Sequence, residues 1–206
     1  MKIRKFEERD REYIRKICAD TAKGNFAVDP DKREAISIAY VDYYMDCEPE
    51  HVIVAEEDNK AVGYIVCSLD AEKFQSEFPK YIKKMKQYSP LLAFFQKICL
   101  RVNKNMDKKY GGGFHINLDK DYQGGGLGTI LMTAMGEHLI KNGVKNMYLV
   151  TQNRKTRGYG FYSHYGFHEI KSYPLGSVAL SYDLSKLKEE HSLSALKQKK
   201  GFDLDL

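Results

Sequence analysis

The sequence predicts an α/β (α+β) fold in which strands and helices alternate around a sheet. Three observations carry this. His51 to Glu56 and Ala61 to Ser68 are two runs dense in Val and Ile around the turn Asp58-Asn59-Lys60, the pattern of a buried hairpin. His115 to Leu118 alternates polar and apolar residues with a period of two. A glycine-rich turn follows, and a helix pattern then begins at Leu127, with Ile130, Leu131, Ala134, Met135 and Leu139 near a 3.6-residue period.

In chain order, Lys2 to Phe6 reads as a short, edge-like strand. Asp10 is placed to cap the next helix, whose apolar face carries Tyr13, Ile14, Ile17 and Cys18, and Lys23-Gly24-Asn25 breaks it. A second helix spans Asp31 to Tyr44, and Asp46 to Glu50, with Pro49, ends it. After the hairpin, residues 71 to 110 hold two apolar helical patterns separated by Pro90. The first carries Phe74, Phe78, Tyr81, Ile82 and Met85 together with Lys80, Lys83, Lys84 and Lys86. Such a pair covers one face of a sheet, and it can also wall a pocket. Gly111-Gly112-Gly113 then lets the chain turn sharply into the central strand. The helix from Leu127 ends at Asn142-Gly143, a C-cap signature. Asn146 to Thr151 is a strand, Thr156 to Tyr165 a short helix ending at Gly166, and Glu169 to Tyr173 and Val178 to Leu184 the last two strands. The tail from Ser185 is rich in Lys and Glu and reads as a loose helix.

The 206 residues suit one domain, 1–206, with an insertion at about 71–110 and a charged tail at about 185–206. Hydrophobic content of 43% and charged content of 30% are those of an ordinary soluble globule. No apolar run reaches 18 residues, and no signal-peptide core follows Met1-Lys2-Ile3-Arg4-Lys5, so the sequence predicts no membrane span. Cys18, Cys47, Cys67 and Cys99 are scattered without a C-x-x-C pair, and read as small buried hydrophobes in a reducing cytoplasm. A net charge of +5 favours a ligand carrying several phosphates. The Lys and Arg residues are interleaved with Asp and Glu, which argues against nucleic acid as a partner.

The turn between the strand His115 to Leu118 and its helix contains Gln123-Gly124-Gly125-Gly126-Leu127-Gly128-Thr129. Backbone N–H groups at a helix N-terminus, with no Cβ atoms in the way, make an anion site. The dinucleotide spacing G-x-G-x-x-G fails here, and no Gly-Lys pair follows, so the P-loop spacing fails too. The spacing that fits is Q-x-x-G-x-G, at Gln123, Gly126 and Gly128. It resembles the pyrophosphate loop of the GNAT acetyltransferases, which hold acetyl-coenzyme A (acetyl-CoA). Downstream, Phe161-Tyr162-Ser163-His164-Tyr165-Gly166-Phe167 resembles the F-Y-x-x-x-G-F segment of the same family, in the right order and at the expected separation. The resemblance spans about residues 1 to 183 with one long insertion.

The resemblance implies a GNAT fold: a mixed central sheet of about six to seven strands flanked by helices, here with a helical insertion. It also implies acetyl transfer from acetyl-CoA to an amine by direct attack, with no metal. On that basis the backbone of Asn117 and Leu118 would pair with the pantetheine arm like an added strand. The N–H groups of Gln123, Gly124, Gly125, Gly126, Leu127, Gly128 and Thr129 would hold the pyrophosphate, and Tyr162 would serve the leaving thiolate. An alkylamine with a pKa of about 10.4 is neutral to roughly one part in a thousand at pH 7, so a base would help. His115 and Asp119 share a face with Asn117 and can be weighed for it, but the base stays unassigned. Three positions depart from the family pattern: Lys155 and Gly158 stand where Asn and Ala are common, and Lys120 stands where Pro is common. The implied partner is a small-molecule or peptide amine acceptor, the implied state a cytoplasmic monomer or homodimer without nucleic-acid or membrane partners. A non-catalytic GNAT-like module that binds coenzyme A or a protein partner is the alternative.

Overall fold

A computed structural model describes residues 1–110, 113–187 and 192–206. Gly111 and Gly112 of the expected sharp turn, and positions 188–191 of the charged tail, lie outside the described residues. Strands β1 (Lys2–Lys5), β2 (Val52–Glu57), β3 (Lys60–Cys67), β4 (Phe114–Leu118) and β8 (Asp203–Asp205) form one sheet in the order β4-β3-β2-β1-β8. A second sheet has β5 (Asn146–Thr151), β6 (His168–Ser172) and β7 (Val178–Asp183) in the order β5-β7-β6. Neighbours are antiparallel except β1 and β8, so the arrangement is mixed. The two sheets meet at a parallel bridge between Gly113 and Tyr148. Among the described residues β4 and β5 share no ladder beyond that bridge, which leaves a cleft between two parallel strands.

The hairpin turns tightly because Asp58 and Asn59 both take positive φ, 49° and 61°, a left-handed pair that Asp and Asn tolerate and that matches strand twist. Lys60 already belongs to β3, so the loop is shorter than the expected three residues. Every residue of β2 from Val52 to Glu56 is buried, because the sheet is covered on both faces. On one face Ile53 and Ile65 pack with Leu131 and Met135 of α6 (Leu127–Lys141), near α7 (Arg157–Tyr165) and α8 (Leu193–Lys200). On the other, Val54, Tyr64 and Val66 pack with Ile14 and Cys18 of α1 (Arg11–Asp20) and Tyr43 of α3 (Tyr43–Cys47).

The structure departs from the sequence expectations at several further points. The expected helix Asp31 to Tyr44 is α2 (Pro30–Ser37), a π-helical stretch over Ile38–Asp42, and then α3, entered through Asp29, whose side chain accepts from the Lys32 N–H at 3.0 Å. Asp10 makes no cap bond to α1. Its carboxylate instead takes the buried Arg4 guanidinium at 2.7 and 2.8 Å and the Glu7 N–H at 2.9 Å. Strand β1 is not an edge, because the tail folds back and adds β8 beside it, giving eight strands rather than six to seven among the described residues. The lysines of that tail hide Leu193, Leu196 and Phe202, all buried, which dock α8 on α6 and deliver Asp203–Asp205 to the sheet. Cys99 is exposed, although Cys18 and Cys67 are buried as expected.

Residues 71–110 form α4 (Ala71–Met85) and α5 (Pro90–Tyr110), packed on each other and on the α3 face. Phe74 and Phe78 stack at 4.7 Å between centroids, and Phe74 meets Tyr43 edge-on at 4.7 Å. That aromatic cluster anchors the insertion beside the cleft.

Candidate active site

The loop after β4 has the geometry of an anion site. Gly124 and Gly126 take φ of +90° and +85°, which side-chain-bearing residues rarely adopt. The first intrahelical acceptor bond of α6 is Ile130 N–H to the Gly126 carbonyl at 3.2 Å, so the N–H groups of Leu127, Gly128 and Thr129 point past the helix end. Gln123 ties the loop to its surroundings: its amide donates to the Leu118 carbonyl at 3.1 Å, and its Oε1 accepts from Arg157 at 2.9 Å. The glycines differ in what they do. A Cβ on Gly128 would press on the Phe161 ring at 3.2 Å, so Gly128 lets α6 and α7 approach. A Cβ on Gly125 would meet nothing within 4 Å, so that position faces open space.

Two cations converge on this loop that sequence reasoning missed. Arg157 stands on the α7 side, and Lys200, at the end of α8, donates to the Gly125 carbonyl at 2.8 Å. Lys200 lies 75 positions from its partner, so no local pattern announces it.

Beside the loop, the opening between β4 and β5 forms a cleft of about 390 Å³, walled by His115, Asn117, Val150, Thr156 and Tyr162. Thr156 starts α7 by accepting from the Tyr159 N–H at 3.1 Å, and Gly166, with φ +114°, ends it. Between them Tyr162 packs its ring on Phe114, Phe161 and Phe167. Among the described residues its hydroxyl has no hydrogen-bond partner, and desolvation pushes its pKa up, so it is a protonated phenol at neutral pH. His115 and Asn117 share a face as the alternation requires, joined by a 3.0 Å hydrogen bond, and Asn117 also donates to the Tyr64 hydroxyl at 3.2 Å. With an amide nitrogen as donor, His115 Nε2 is the acceptor and the ring proton sits on Nδ1. Desolvation lowers the His115 pKa to about 4, so the ring is neutral. Asp119 accepts from the Asp121 N–H at 3.2 Å and is a turn residue rather than a base in the cleft. Lys155 stands exposed, its N–H bonded to the Asn153 side chain. Among the described residues no cluster of His, Cys, Asp and Glu is placed to hold a metal ion.

The profile of the Acetyltransferase (GNAT) family matches residues 25–167, more than half of the chain. The chain belongs to this family. Among solved structures, SsHAT is 24% identical and superposes with a TM-score of 0.76, over 88% of this chain and 97% of that one. The Drosophila melanogaster polyamine N acetyltransferase, described as catalysing the formation of N acetylagmatine, is 12% identical with a TM-score of 0.57, over 88% and 98%. The Salmonella typhimurium protein yncA, solved with its cofactor acetyl-CoA, is 14% identical with a TM-score of 0.55, over 89% and 94%. At these identities the likeness is one of fold. No match was found among curated proteins.

In this GNAT chain a second cavity, of about 160 Å³, lies under the insertion. Tyr40, Phe114, His115, Leu149 and Val150 line both the cavity and the cleft, so the two are neighbours across one wall. The insertion contributes Phe74, Phe78, Gln96, Cys99, Asn103 and Asp107. Among the described residues no lysine of the insertion lines this cavity. Lys83 is exposed along an outer groove between α4 and α5, and Lys84 reaches Asp42 at 3.8 Å. Both follow Tyr81 and Ile82, whose apolar contacts turn the lysines outward. The charge that lines the cavity is Asp107, 5% exposed, bonded by the Tyr148 hydroxyl and by Gln75 at 2.9 Å.

Proposed function

We propose that this chain is an N-acetyltransferase that moves the acetyl group of acetyl-CoA to an amine acceptor. Acetyl transfer is the general reaction of the GNAT acetyltransferases. The observation that carries the finer reading is the Tyr162 hydroxyl, without a hydrogen-bond partner among the described residues, in a cleft beside the N-terminus of α6. The donor supplies an activated thioester. Its pyrophosphate would meet the N–H groups of Gln123 to Thr129, with Arg157 and Lys200 adding positive charge. The pantetheine amides would lie along the free edge of Asn117 and Leu118. The Leu118 carbonyl already accepts from Gln123, so the arm would use the remaining backbone groups of that edge. Tyr162, kept protonated by desolvation, would hydrogen-bond the departing thiolate and pass it a proton. Neutral His115 adds no positive charge to repel an approaching amine.

The whole chain would work as one domain, as a cytoplasmic monomer or homodimer with no nucleic-acid or membrane partner. Among the described residues no helix is long and apolar enough to cross a membrane. The test has two arms. Acetyl-CoA at 100-fold over its dissociation constant should stabilise the fold by about 2.7 kcal/mol. A panel of amines should then release thiol from acetyl-CoA. Stabilisation without thiol release from any amine would leave a coenzyme-A-binding module and refute the enzyme.

A further inference from the structure

We infer that the cavity under the insertion is a seat for the far end of the acceptor, and that Asp107 binds a second cationic group there. The acceptor would therefore be a compact diamine or aminoguanidine with an apolar spacer. This rests on the acetyl-transfer reading above and narrows its substrate class.

The argument begins with an uncompensated charge. Asp107 is buried, and among the described residues no Lys, Arg or His pairs with it. Its two hydrogen-bond donors, Tyr148 and Gln75, are neutral. A buried carboxylate without a counter-charge carries a desolvation cost that an arriving cation relieves. Desolvation accordingly raises the Asp107 pKa above the ordinary carboxylate value. The exposed lysines Lys83, Lys86, Lys97 and Lys104 of the insertion line the outer groove instead of the cavity. The rest of the lining suits a short apolar spacer: Tyr44, Phe74, Phe78 and Leu100 are aromatic or aliphatic, and Gln96 and Asn103 are neutral acceptors for donor groups. The shared wall then sets direction. An acceptor anchored at Asp107 would reach the Tyr162 cleft through that wall, where the His115 and Tyr40 rings, stacked at 4.9 Å, would part to admit its other amine.

A structural role for Asp107 is the competing account, since its bond to Tyr148 ties α5 to β5. Two variants separate the accounts. Asp107→Asn removes the charge and can keep both contacts, its Oδ1 accepting from Gln75 and its amide donating to the Tyr148 hydroxyl oxygen. Tyr148→Phe removes the tie and keeps the charge. The probes are α,ω-diaminoalkanes and n-alkylamines of equal chain length, followed by thiol release and, independently, by calorimetric titration with coenzyme A present. The wild-type chain should prefer diamines by at least about tenfold in kcat/KM, a difference of roughly 1.4 kcal/mol. Asp107→Asn should abolish that preference without moving the KM for acetyl-CoA, and Tyr148→Phe should retain it. Thiol release that does not distinguish diamine from monoamine, or equal losses in both variants, would overturn the anchor and leave acetyl transfer standing. Diamine binding lost in Asp107→Asn, with no thiol release from any amine, would support the anchor and overturn acetyl transfer.

Discussion

Tyr162 presents a hydroxyl with no partner among the described residues, on a ring held by Phe114, Phe161 and Phe167, so Tyr162→Phe should leave the packing intact. If the phenol serves the thiolate, turnover should fall by about 10²–10⁴-fold, the usual worth of general acid catalysis, at unchanged KM for acetyl-CoA. Turnover within a factor of about two of wild type, with chemistry limiting, would assign the thiolate to water. The glycine loop offers an equally clean probe. Gly128 is a poor one, because its Cβ would strike Phe161 and disturb α6 and α7 together. Gly126 is a poor one too, because its φ is positive. Gly125 has neither problem, so Gly125→Val should melt like wild type and yet bind acetyl-CoA at least about tenfold more weakly, about 1.4 kcal/mol. Unchanged affinity would move the pyrophosphate off the loop. At this scale the sequence was informative about position: Tyr162 lies on α7 in the wall of the cleft, and Gln123 and the glycines form the turn into α6. It was silent on which glycine is packing and which faces solvent, since that depends on Phe161 and Lys200 arriving from elsewhere.

Among the elements, those built from adjacent residues were legible and those completed by distant partners were not. The hairpin β2–β3, the β4–loop–α6 unit and α7 each carry their own turn and cap residues, and each was found within a few positions. The tail was misread because Lys197, Lys199 and Lys200 outweigh Leu193, Leu196 and Phe202 in composition, although burial of the apolar three decides where it goes. Parallel pairing of β8 with β1 joins the two ends of the chain, which no local period reveals. Docking of α8 has a consequence for the site, since it holds Lys200 against the Gly125 carbonyl. Lys200→Ala should therefore weaken acetyl-CoA about 3- to 10-fold, an exposed charge being worth around 1 kcal/mol, and the difference from wild type should shrink in high salt. Lys199→Ala, on the same helix without a described contact to the loop, serves as the control. Equal effects of the two would reduce Lys200 to general surface charge.

At the scale of the whole molecule, three half-buried histidines, His51, His115 and His138, couple the fold to protons. His138 is bonded to His51 at 2.8 Å and to Lys5 at 3.2 Å. Desolvation lowers its pKa to about 4, helped by the positive neighbours Lys5, His51 and Lys141, with Glu50 opposing. Desolvation also lowers His51, and it brings His115 to about 4. In the unfolded chain these rings titrate near pH 6.5. Below that value the unfolded state binds protons that the folded state refuses, so stability falls with falling pH. The contribution is fully present above about pH 6.5 and is lost as pH drops toward 4. Glu56, held below the ordinary carboxylate range by hydrogen bonding to Arg4, continues the trend at lower pH, where protonation breaks its pair with that buried guanidinium. The expected melting curve is therefore flat from pH 8 to 7 and declines by at least about 3 °C toward pH 5, where a kcal/mol corresponds to roughly 2–4 °C for a chain of this size. His138→Gln keeps a polar side chain between β1 and the His51 loop and removes one of the titrating rings, so it should flatten that decline without abolishing it. A variant whose melting temperature follows pH with the wild-type slope would show that the His51–His138 pair is not what links this fold to protons, and would leave His115, in the wall of the cleft, as the ring to replace next.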